Sequence, residues 1–129
     1  MTGELTGIMA EISDGGQRFG HRQHVQLAFV AARRHGAAAT SDVMREWIKQ
    51  IAAAHGAPER YHETITVAWA KLVAHHVAED PALSSFDAFV GANPALLDKT
   101  LLTRHYSPSV LGSATAKAAW VAPDLAALP

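Results

Sequence analysis

The sequence predicts an all-α protein, folded as a compact four-helix up-down-up-down bundle with a short extra C-terminal helix. Three observations lead there. Apolar residues recur at helical spacing along four segments. Capping and stopping residues bracket those segments. Alanine, the best helix former, makes up roughly a fifth of the chain, and no strand-like alternation or internal repeat accompanies it.

At 129 residues the chain is expected to form one domain over residues 19–129, preceded by a flexible N-terminal lead-in over 1–18. Within the lead-in, Leu5, Ile8, Met9 and Ile12 have helical spacing, so a short helix fits before Gly15-Gly16 breaks it. The first long helix is expected from about Gly20 to His35, with Val25, Ala28, Phe29 and Ala32 as its buried stripe and Gly36 as its stop. Thr40-Ser41-Asp42 reads as the cap of a second helix carrying Met44, Trp47, Ile48, Ile51 and His55 on one face, ended by Gly56. Pro58 at a first helical position opens the third, which runs to about Glu79 before Asp80-Pro81. Its inward stripe is His62, Ile65, Thr66, Trp69, Leu72, Val73 and His76. Ser84-Ser85 caps a short turn with Phe86, Phe89 and Val90. Asn93-Pro94 opens a fourth helix to about His105, and Ser113 caps a last one over Ala114–Trp120.

Composition narrows the function. A net charge of −1 with no basic run leaves no footprint for nucleic acid. No apolar run approaches the ~18 residues of a membrane span, and no basic-plus-apolar leader opens the chain, so a cytoplasmic location is expected. Without cysteine there are no thiolate metal sites and no cysteine nucleophile. Nucleotide-binding glycine motifs, the serine-hydrolase elbow, the zincin motif and the paired di-iron pattern are all missing.

Eight histidines make imidazole the conspicuous chemistry. In an up-down-up-down bundle, His21, His24, His55, His62, His105 and Tyr106 gather at one end, while His35, His75 and His76 fall at the other. His21 and His24 share a helix face, and His62 heads the stripe of the third helix with Thr66 a turn below. Three imidazoles aimed at one end fit a divalent transition metal such as Zn, Fe, Cu or Ni. The plainer reading is hydrogen-bonded core histidines. Glu63 is a candidate fourth ligand or general base, or simply an exposed first-turn acid. His35 and His55 suit the helix dipole as last-turn residues, and Arg104 on an apolar face is a candidate for an anionic substrate or for Asp98 or Glu63.

The segments Phe19-Gly20-His21-Arg22-Gln23-His24, Tyr61-His62-Glu63-Thr64-Ile65-Thr66, Arg104-His105-Tyr106-Ser107 and Trp120–Pro129 together carry a resemblance. Over residues 19–129 the chain resembles a small, uncharacterised all-α bacterial protein family. The resemblance implies no mechanism, but it favours His21, His24, His62, Thr66 and Tyr106 over His35, His75 and His76 as site residues.

The leading expectation is a small metal-dependent enzyme acting on a small organic metabolite. His21, His24 and His62 would hold the metal, Glu63 or Tyr106 would transfer protons, and Thr66 would orient His62. The alternatives are a metal-free isomerase, cyclase or lyase using histidine, and a non-catalytic helical binding or accessory protein. The oligomeric state is left open, with a homodimer as the option considered.

Overall fold

A computed structural model describes residues 1–12 and 19–129. The protein is all-α, and no strand occurs among the described residues. Its α-helices are α1 (Gly3–Ile12), α2 (His21–His35), α3 (Thr40–Ala54), α4 (Glu63–Glu79), α5 (Phe86–Ala92), α6 (Pro108–Leu111) and α7 (Ala114–Ala118). No described helix is long and apolar enough to cross a membrane.

The three long helices α2, α3 and α4 pack on one another, and α4 is the centre. Its buried residues run almost all the way round, from Thr64, Thr66, Val67 and Ala68 to Trp69, Ala70, Val73 and Val77. A helix covered on every side needs small residues for close approach, and Ala68, Ala70 and Ala74 supply them. On α2, Val25, Ala28, Phe29 and Ala32 are buried as the spacing predicts, joined by Leu27 and Ala31. On α3 the inward residues are Met44, Trp47 and Ile51. Gly36 and Gly56 stop α2 and α3 with φ of 90° and 70°, a region where a side chain is strained.

Several element ends differ from expectation. The lead-in helix forms as α1, with Leu5, Ile8 and Ile12 buried in the common core. The break expected at Gly15-Gly16 lies outside the described residues. No side chain caps α3. A 3-10 turn, Ala37–Ala39, feeds directly into it, and the Thr40 hydroxyl bonds back to the Gly36 carbonyl. The third helix starts late as well. Pro58 opens only a 3-10 turn, Pro58–Arg60, and after Tyr61 the backbone is extended at His62.

The largest difference is the predicted fourth helix over Asn93–His105. In its place stand two 3-10 segments, Pro94–Leu97 and Lys99–Arg104, separated by extended backbone at Asp98. The Asp98 carboxylate accepts the Thr100 N–H and hydroxyl, a local alternative to helical bonding. Asn93 instead closes α5, its side-chain amide donating to the Phe89 carbonyl. Ser85 caps α5 and Ser113 caps α7 as predicted, although α7 ends at Ala118.

After α7 the chain crosses the bundle without regular structure. Thr64, fully buried, donates to the Ala119 carbonyl at 2.8 Å and accepts the Val121 N–H at 3.0 Å. Ser107 N–H donates to Asp124, Leu125 N–H to the His105 carbonyl, and the His105 ring to the Ala126 carbonyl. The tail is therefore pinned along its length.

Candidate functional site

One cavity of about 500 Å³ opens where the start of α2, the second half of α3 and the start of α4 meet. That volume lies within the ~300–1,000 Å³ of ordinary small-molecule sites. Ile48, Ile51 and Ala52 of α3 and Ile65 of α4 make its apolar wall, with Phe19 from the segment before α2. The polar lining comes from His24, His55, Arg60, Tyr61, His62 and Thr66, with no carboxylate among the lining residues.

His24 stands one turn inside α2, whose start is held by the Gly20 N–H donating to Gln23 Oε1. As a residue it keeps some exposure, but its Nε2 is sealed from solvent and has no hydrogen-bond partner among the described residues. Burial, helped by His21 nearby, lowers its pKa to about 4, so the ring is neutral at pH 7. A buried polar nitrogen without a partner is rare and costs stability. His24 is among the residues that line the cavity, with Nε2 on the ring's buried side.

His62 is used differently. It caps α4, its Nδ1 accepting the Ile65 N–H at 3.0 Å. The proton must then be on Nε2, which donates to the Leu111 carbonyl at 2.8 Å. Both nitrogens are thus committed, although the residue lines the cavity. His21 also turns to backbone, its Nε2–H donating to the Leu96 carbonyl at 2.9 Å, with its ring edge-on to Trp69.

These arrangements do not fit a tri-histidine metal centre. A ligating nitrogen needs a free lone pair, and both nitrogens of His62 are taken by backbone groups. Among the described residues no group of three or more His, Asp or Glu side chains stands close enough to hold a metal ion.

Glu63 does not line the cavity. It accepts from the Arg45 guanidinium and, at 2.6 Å, from the Tyr61 hydroxyl. Burial pushes its carboxyl up, but the bonds from Tyr61 and Arg45 outweigh that and hold it below the usual carboxylate range. A proton acceptor so stabilised is a poor base. Tyr61, raised above its ordinary range by burial and by Glu63, stays a phenol. Tyr106 is fully buried with its hydroxyl on the Val121 carbonyl at 2.6 Å, and burial beside Asp124 pushes it up to about 12. It anchors the tail, away from the cavity.

Of the six predicted site residues, His24, His62 and Thr66 come together at the cavity, while His21, Glu63 and Tyr106 do not. Arg104 is exposed and acts on Asp98, whose carboxyl is lowered chiefly by Thr100 and secondarily by Arg104. His35 meets Glu4 at 3.0 Å, and His75 meets Glu79 at 3.5 Å, at the far end. Sequence reasoning gave no role to Phe19, Tyr61 or Arg60. Their signal was position, since Pro58 makes a turn that sets Arg60 and Tyr61 beside the cavity. No protein-family model, curated protein or solved structure matches this chain.

Proposed function

We propose that this protein binds a small, largely apolar organic molecule in the α2–α3–α4 cavity, with His24 meeting a polar group at its buried end. The unpartnered Nε2 of His24 carries the reading. The isoleucine wall supplies contact area, and one hydrogen bond to a neutral imidazole fixes orientation.

Acid–base catalysis by His24 has less behind it. A general base or acid works best with a pKa near the working pH, and about 4 leaves a weak base with no proton to give. A metal-dependent reaction has less still, because both His62 nitrogens are bonded to backbone groups and no three metal-binding side chains stand together among the described residues.

The test is a ¹H–¹⁵N NMR titration with cyclohexanol, cyclohexanone and phenol. At least one should shift the amides of Ile51, Tyr61 and Ile65 saturably, together with the His24 ring nitrogens. The His24→Leu variant should lose the response. Silence from all three, or an unchanged response in the variant, overturns the proposal. A parallel melt with Zn, Fe(II), Cu or Ni tests the metal reading, which requires a rise in Tm that His62→Ala abolishes.

A further inference from the structure

The cavity mouth carries a charge that has no partner among the described residues. Arg60 ends the Pro58–Arg60 turn, lines the cavity and is exposed, and its guanidinium has neither an ion pair nor a hydrogen bond among the described residues. The nearby arginine on α3 behaves otherwise, since Arg45 is paired with both Asp42 and Glu63. Glu63, the acid nearest Tyr61, is thereby neutralised. His55 joins the same rim, and the Lys49 ammonium lies 5.1 Å over the Tyr61 ring.

Two features near the mouth are negative, the exposed Glu59 carboxylate, which is in the same turn as Arg60 but does not line the cavity, and the C-terminal end of α3. Three of the last four α3 carbonyls are covered, however. Those of Ile51, Ala52 and Ala53 accept the N–H groups of His55, Ala57 and Gly56. What remains in the lining itself is the Arg60 guanidinium over an apolar wall, with a neutral imidazole beneath.

We infer that the ligand is a monocarboxylic acid with an apolar body, its carboxylate at the mouth on Arg60 and its apolar chain against Ile48, Ile51 and Ile65. This rests on the cavity being a binding site, and names the ligand class. A planar guanidinium fits a carboxylate with two parallel bonds, which a neutral amide of equal shape cannot reproduce. A dianion is disfavoured, because its second charge would lie against an apolar wall beside uncharged His24.

Octanoate and octanamide have the same body and differ in charge, so they are the probes. Titrated by NMR at low salt, octanoate should bind about tenfold tighter than octanamide. Arg60→Gln, at an exposed position, should bring the two to parity by weakening octanoate alone. Added salt should erode the octanoate advantage. Equal binding of the two by the native protein overturns the inference, as does an advantage that survives Arg60→Gln. Silence from octanoate while cyclohexanol, cyclohexanone or phenol binds overturns it too, and leaves the cavity as a binding site. Silence from every compound removes both readings.

Discussion

Two histidines at one cavity show how far environment separates identical side chains. His62 spends both nitrogens on backbone groups, Ile65 N–H and Leu111 carbonyl, and so acts as a helix cap. His24 has its Nε2 buried with no hydrogen-bond partner among the described residues, and burial lowers its pKa from 6.5 to about 4. The consequence for stability has a definite sign. Between pH 6.5 and 4 the unfolded chain takes up a proton at His24 that the folded chain refuses, so stability falls as pH falls through that window. A depression of this size corresponds to a loss on the order of 3 kcal/mol by pH 4. Melting temperature measured from pH 7 to 4 should decline, and His24→Leu should flatten the decline. At pH 7 the same variant should be more stable by about 1 kcal/mol, since it removes an unsatisfied buried nitrogen without opening a void. A destabilised variant with an unchanged pH slope would show that His24 already has a partner.

Elements here are held by contacts remote in sequence more than by their own propensity. α1 is ten residues long, too short to persist alone, and its place depends on Leu5, Ile8 and Ile12. Leu5→Ala or Ile8→Ala should each cost about 2–5 kcal/mol, read by urea denaturation. A cost below 1 kcal/mol would mean that α1 does not dock in solution. The tail hangs on Thr64. Thr64→Val keeps the shape but strands the Ala119 carbonyl and the Val121 N–H, a loss of about 2–3 kcal/mol. Hydrogen exchange at Val121 should accelerate in this variant while the amides of α2 and α3 stay protected. Uniform acceleration through the chain would show instead that the tail and bundle open together.

Across the whole molecule one continuous core runs from Leu5 in α1 to Tyr106, with Trp120 and Leu128 of the tail packed against it. A single shared core favours one cooperative transition. Trp47 on α3, Trp69 on α4 and Trp120 in the tail report on different regions, so unfolding followed by tryptophan fluorescence and by far-ultraviolet circular dichroism should coincide. Separate midpoints would mean that the tail or α1 melts independently.

Much of the helical framework was legible as one-dimensional pattern. The stripes of α2 and α3, the stops at Gly36 and Gly56, and the caps at Ser85 and Ser113 depend on residues within a turn or two of one another. Local spacing also put His24, His62 and Thr66 at one end of the bundle. It misread Asn93–His105, where Asp98 satisfies its neighbours locally and breaks a run whose apolar period looks helical. The chemistry of each histidine lay beyond that reach, because an imidazole's state is set by whatever it touches. Leu96 lies 75 residues from His21, and Leu111 lies 49 from His62. Folding delivers those carbonyls to two rings and, among the described residues, none to the Nε2 of the third, His24.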